Sequence, residues 1–175
     1  MRAIALLSQR EHSPLELRRK LLLIQASMDR QARAAAGAER SHGAGGTHEA
    51  GDDEGRSAAE IDQLIDWLRT QGFLSEARFV ESRVHARAQR YGSLRIKLEL
   101  AQHGLALSSE KQVELRATEL ARARSLWERK FGADGLDAVA GNPALRARQM
   151  RFLSGRGFSP EVIRQVLRGA PDEQP

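Results

Sequence analysis

The sequence predicts an all-α protein built from tandem three-helix repeats. Three observations carry that expectation. A helix stop recurs: Leu100-Ala101-Gln102-His103-Gly104-Leu105 is echoed by Leu153-Ser154-Gly155-Arg156-Gly157-Phe158, and Gln71-Gly72-Phe73 repeats it upstream. Glycine just past a helix takes the left-handed conformation cheaply, and the apolar residue after it folds back on the last turn. Helix starts recur as well, at Ser13-Pro14-Leu15-Glu16, Asn142-Pro143 and Ser159-Pro160-Glu161, where a capping side chain precedes a proline suited to the first helical position. Finally, Leu, Ala, Arg and Glu dominate, aromatics are 5%, and no segment alternates with a period of two, which favours helix over strand. Stops at this spacing point to repeats that stack rather than to one enzyme core.

In chain order, a short helix is expected over about 4–10. A longer one starts at Ser13-Pro14 and carries Leu15, Leu17, Leu21, Leu22 and Ile24. Residues 29–57 lack apolar anchors larger than alanine and include Gly43-Ala44-Gly45-Gly46 and Asp52-Asp53-Glu54-Gly55. They read as a flexible insertion, with the part up to about Ala36 able to extend the preceding helix. Order is expected to resume at a capping box, Ser57-Ala58-Ala59-Glu60, followed by the stripe Ile61, Leu64, Ile65 and Leu68. A helix over about 76–90 should bury Phe79, Val80 and Val84. Tyr91-Gly92-Ser93 is a turn with a cap, and Leu94, Ile96, Leu98 and Leu100 belong to the next helix. Ser109 with Gln112 can cap a helix bearing Val113 and Leu115. Leu120, Ala123, Trp127 and Phe131 form a stripe ended by Gly132, and these two segments could fuse into one bent helix. Met150, Phe152 and Leu153, then Val162, Ile163, Val166 and Leu167, mark the last two helices. Grouped by threes, the helices give repeats at 1–74 (with the insertion), 75–117 and 118–169, then a polar tail at 170–175.

The composition narrows the chemistry. There is no cysteine among the 175 residues, which excludes disulfides and thiolate metal sites and suits a reducing cytosol. The start, Met1 to Leu7, is too briefly apolar for a signal peptide, and Leu21-Leu22-Leu23-Ile24 is far short of a membrane span. His42 and His48 near Asp52, Asp53 and Glu54 offer metal-binding residue types without an ordered frame. His12 suits helix entry, and His103 can face a helix C-terminus. No P-loop or dinucleotide fingerprint is present, and no nucleophile–base arrangement can be read from the spacing. The expectation is a non-enzyme with no catalytic residue, no metal and no cofactor.

What remains is basic surface. The net charge is +5 and the calculated pI about 10.4. Arginine supplies 24 of the 28 basic residues, and its planar fork suits carboxylates and phosphates. Arg78, Arg83, Arg87 and Arg90 follow the helix of Phe79, with 83, 87 and 90 along one stripe. Arg95 and Lys97 continue past Tyr91, the better candidate for an exposed aromatic contact. Arg146, Arg148, Arg151 and Arg156 form a second cluster. Either cluster could meet phosphates or an acidic protein face, or serve only as a solvated helix face. Trp67 and Trp127 read as core.

Several stretches resemble one family. Glu11-His12-Ser13-Pro14-Leu15-Glu16-Leu17-Arg18-Arg19-Lys20-Leu21 is similar to the opening repeat of the bacterial RecX regulators. Gly72-Phe73-Leu74-Ser75-Glu76-Ala77-Arg78-Phe79-Val80-Glu81-Ser82 is similar to their central motif. Tyr91-Gly92-Ser93-Leu94-Arg95-Ile96-Lys97-Leu98-Glu99-Leu100 resembles their most recognisable stretch, and Arg151-Phe152-Leu153 with Arg156-Gly157-Phe158-Ser159 resembles the C-terminal repeat. The resemblance implies three three-helix repeats in an elongated, curved array. It also implies a cytoplasmic, monomeric modulator of the RecA recombinase in homologous recombination, DNA repair and the SOS response. Such a protein binds the RecA–DNA filament and limits its extension, ATP hydrolysis and strand exchange. The competing class is a direct DNA-binding helical module, and a third is a structural scaffold. Two stretches depart from the family pattern. The first repeat lacks a short glycine turn after Leu21, which bears on its packing. The junction near Ala117 is compressed, which bears on the angle between the second and third repeats.

Overall fold

The computed structural model describes residues 2–39, 50–132 and 142–168. Among them are nine α-helices and no strand: α1 (Arg2–Leu7), α2 (Pro14–Glu39), α3 (Ala50–Thr70), α4 (Glu76–Ala88), α5 (Ser93–Gln102), α6 (Ser109–Ala117), α7 (Glu119–Phe131), α8 (Pro143–Gly155) and α9 (Pro160–Arg168). The chain divides into two units, Met1–Phe79 and Val80–Pro175.

In the first unit α2 packs on α3. Ser13 Oγ accepts from the Glu16 amide at 3.1 Å, so the predicted cap sets the start of α2. Leu17 and Leu21, one turn apart, meet Ile65 and Leu68 of α3, with Ala3 and Leu74 completing the core and Leu6, Leu7 and Ile61 at its margin. The helices reach further into 29–57 than composition suggested. Helix α2 continues to Glu39 and α3 already runs from Ala50. The alanine-rich stretch has high helix propensity, and Gln25 Nε2 donates to Asp29 Oδ1 at 3.1 Å along the helix. Ser57 is therefore inside α3 and caps nothing. His42, His48 and Gly43–Gly46 lie outside the described residues, as does the tail at 170–175.

Trp67, expected in the core, is 49% exposed and stacks on Phe73 with ring centroids 6.0 Å apart. Leu68 occupies the centre of the buried stripe, and Trp67 lies 100° around the helix from it.

The second unit has a continuous core of Ala123, Leu126, Trp127, Leu153, Phe158, Ile163, Val166 and Leu167, edged by Leu120, Phe131, Phe152 and Val162. Ile96, Leu100, Leu107 and Leu115 are buried in α5, α6 and the loop between them. The helix stops form as the sequence indicates. Leu105 N–H returns to Leu100 C=O at 3.0 Å and Phe158 N–H to Leu153 C=O at 3.3 Å, across glycines at φ +71° and +77°.

The exposed apolar residues of α5 and α6 follow from helix geometry, and one cap falls a residue earlier than expected. Leu94 and Leu98 are exposed because residues two apart on a helix point to opposite sides, so burying Ile96 and Leu100 turns their neighbours outward. Val113 is 68% exposed, and Leu115 alone of that pair is buried. The α6 cap is Ser108, whose hydroxyl accepts from the Lys111 amide, rather than Ser109. Helices α6 and α7 run on through Thr118. Its hydroxyl competes for the Glu114 and Leu115 carbonyls, and its own N–H reaches Glu114 C=O only at 3.4 Å.

Candidate functional site

The predicted arginines separate into those that hold the fold and those left for solvent. Arg78 is structural: its Nε lies 2.8 Å from Glu11 Oε1, and its Nη2 donates to the carbonyls of Gly72 and Phe73 at the end of α3. Arg83 and Arg87 both reach Glu99, at 3.4 and 3.0 Å, and so tie α4 to α5. Lys97 donates to Gln112 Oε1 at 2.9 Å, and Gln112 in turn donates to Leu107 C=O. The stripe 83–87–90 is thus broken, because its first two members carry a counter-ion.

Arg90, Arg95, Arg146, Arg148, Arg151 and Arg156 have no carboxylate partner among the described residues. Two of them lie on aromatic rings. Arg95 sits 5.0 Å from the centroid of Tyr91, whose ring Arg87 also approaches at 5.7 Å. Arg156 sits 4.8 Å over Phe152. Stacking on a ring leaves the N–H edge of Arg95 available for a planar anion, while Arg156 gives one N–H to the Arg90 carbonyl. Tyr91 is half-buried by this arrangement rather than freely exposed. Arg146, Arg148 and Arg151 project from α8 into solvent.

Sequence reasoning missed the polar residues that join the second and third repeats. The Ser93 hydroxyl caps nothing locally. It donates to the buried carboxylate of Glu119, at 2.9 Å from both oxygens, and the Ser93 amide donates to Glu119 Oε1 at 2.9 Å. Glu119 thus serves the N-terminus of α5 from α7, where its charge also opposes the positive end of the helix dipole. One turn on, half-buried Arg122 donates to Ala88 and Tyr91 C=O at 2.7 and 2.9 Å and to Leu115 C=O at 2.9 Å, which serves carbonyls at the ends of α4 and α6. Burial draws the Arg122 pKa down against the opposing pull of Glu119, yet a guanidinium stays charged. The signal was available: Leu115, Glu119, Ala123 and Leu126 follow one helical stripe, so an acid stands where an apolar residue belongs.

Backbone completes the joint. Gly92 N–H donates to Arg156 C=O at 2.9 Å and Leu94 N–H to Gly157 C=O at 3.1 Å. A Cβ on Gly92 would lie 2.2 Å from the Gly157 oxygen, and one on Gly157 2.5 Å from Arg95 Cβ. Arg156 also donates to Arg90 C=O at 3.2 Å.

Among the described residues no group of three or more His, Asp or Glu could hold a metal, and no helix is long and apolar enough to cross a membrane. The side chains of Asp52, Asp53 and Glu54 are outside the described set.

The chain matches the family models for the second three-helix domain of RecX over residues 75–107 and for the third over 117–167. It is 37% identical to the regulatory protein RecX of Ralstonia pickettii over 173 residues, covering 98% of this chain and 87% of that protein. It is 42% identical to that of Leptothrix cholodnii over 174 residues (98% and 88%) and 36% identical to that of Pseudomonas entomophila over 171 (95% and 88%). The chain belongs to the RecX family.

Proposed function

We propose that this protein is a cytoplasmic, non-enzymatic modulator of RecA that binds the RecA–DNA filament and limits its extension, ATP hydrolysis and strand exchange. The observation that carries the reading is the match, along nearly the whole chain, to proteins named as RecX regulators. The distribution of charge supports where contact is made. Arg90, Arg95, Arg146, Arg148, Arg151 and Arg156 have no carboxylate partner among the described residues, whereas Arg83 and Arg87 tie α4 to α5, Lys97 bonds Gln112 and Arg78 pairs with Glu11. Binding that favours one filament geometry shifts the filament only by its differential affinity for the two states, and it needs neither cofactor nor catalytic group. Several weak contacts on successive repeats add to useful avidity in a monomer.

The test is the ATPase rate of DNA-bound RecA with this protein added below stoichiometry. Inhibition is expected, and an unchanged rate at every dose overturns the reading. A titration of free duplex DNA with and without RecA tests the reading against the direct DNA-binding module. Weak, steeply salt-dependent binding is compatible with either, and tight sequence-selective binding without RecA favours the module instead.

A further inference from the structure

We infer that the joint between the second and third repeats is a positioning device, with Gly92, Glu119 and Arg122 as the residues that hold one repeat's arginines in register with the other's. The inference deepens the function proposed above and rests on it.

The joint joins helix ends to helix ends. The amides of Gly92, Ser93 and Leu94, at the start of α5, are satisfied by Arg156 C=O, the Glu119 carboxylate and Gly157 C=O. The carbonyls of Ala88 and Leu115, late in α4 and α6, are satisfied by Arg122. Orphan groups at three helix ends of the second repeat therefore find partners in the third. A sliding apolar contact tolerates many angles. A set of charge-assisted and backbone hydrogen bonds to fixed helix ends tolerates few. The glycines sharpen this further, since Gly92 stands where any Cβ would enter the Gly157 carbonyl.

The same contacts set the cationic surface. Arg95 lies against Gly157, and Arg156 lies over Phe152 while bonded to the Arg90 carbonyl. Arg156 of the third repeat thus lies beside Arg90 and Arg95 of the second only while the joint is closed. Two contact sets held at fixed spacing give avidity that two freely hinged sets lose.

The test uses the full chain in three forms: unaltered, Gly92→Ala and Arg122→Met. The chain has no cysteine, so spin labels at Ala101→Cys and Arg164→Cys, both exposed, report the separation of the two repeats. Far-ultraviolet circular dichroism checks helicity, and RecA ATPase gives the half-inhibitory concentration well below the melting temperature. Expected is retained helicity, a broadened label-to-label distance and a half-inhibitory concentration raised by about tenfold or more. A narrow, unshifted distance, or a broadened one with inhibition intact, overturns the inference. Should Gly92→Ala lose its helices, Arg122→Met decides alone, because it keeps the aliphatic stem while removing the guanidinium with its bonds to the three carbonyls and to Thr118 Oγ1. Should the unaltered chain fail to inhibit RecA, the reading beneath falls and the positional role falls with it, even with the narrow distance present.

Discussion

Two glycine-to-alanine changes separate close approach from backbone conformation. At Gly92 a Cβ would stand 2.2 Å from the Gly157 oxygen, 2.4 Å from its carbonyl carbon and 2.4 Å from Phe158 Cα. These are backbone atoms and cannot rotate away, so α5 must retreat by about an ångström from the α8–α9 turn. That retreat strains or breaks the Gly92–Arg156 and Leu94–Gly157 hydrogen bonds, each contributing about 1 kcal/mol, and the overpacking adds about 1–3 kcal/mol more. The expected destabilisation of the second unit is about 3–5 kcal/mol. At Gly104, by contrast, an added Cβ meets nothing within 4 Å, and only its φ of +71° opposes alanine, which costs about 1 kcal/mol. Each unit carries one tryptophan, Trp67 in the first and Trp127 in the second. Urea unfolding followed by fluorescence in a Trp67→Phe background therefore reports the second unit. Equal losses for Gly92→Ala and Gly104→Ala would refute the close-packed joint.

Three further outcomes follow from local contacts. His12 is 1% exposed, and burial, then the charge of Arg10, lowers its pKa from 6.5 against the opposing pull of Glu16. The neutral ring therefore belongs to the fold. Its stabilisation is present above pH 6.5 and lost as pH falls through the lower folded value, so the urea midpoint of the first unit, read by Trp67 in a Trp127→Phe background, should drop below pH 6.5 and flatten in His12→Gln. Gln149→Leu removes the acceptor of the buried Trp127 indole N–H, a 3.0 Å bond, and should cost about 1–3 kcal/mol by urea unfolding, much of it recovered when Trp127→Phe removes the stranded donor. Arg148→Ala with Arg151→Ala should leave stability within about 0.5 kcal/mol while weakening RecA inhibition, since both side chains are exposed and lack a carboxylate partner among the described residues.

What was legible in the sequence was local. Ser13, Asn142 and Ser159 cap the helices they precede, with amide-to-side-chain distances of 3.1, 3.1 and 3.3 Å. Such bonds span three residues and depend on nothing farther away. The glycine stops are equally self-contained. Ser93 shows where this reasoning ends. Its sequence context reads as a cap, but a carboxylate 26 residues away offers its hydroxyl a charged acceptor in a buried site, and the stronger, longer-range bond prevails. The same limit applies to Trp67 and Val113. A stripe can be read from spacing, but which side of it meets a neighbour is decided by helices distant in sequence.

The arginines show most plainly how charge content differs from available charge. Composition placed 24 guanidiniums in one class, and spacing selected Arg83, Arg87 and Arg90 as a single stripe. Glu99 lies within reach of the first two only, so substituting all three would also loosen α4 from α5 and confuse loss of contact with loss of structure. Arg122 carries the same side chain as Arg90, yet its fork is filled by three carbonyls. A guanidinium offers five donors in a plane, and its role depends on how many of them the fold has already taken. Arg148 and Arg151, exposed on α8 and without a carboxylate partner among the described residues, are accordingly the substitutions in which a loss of RecA inhibition would read as contact alone.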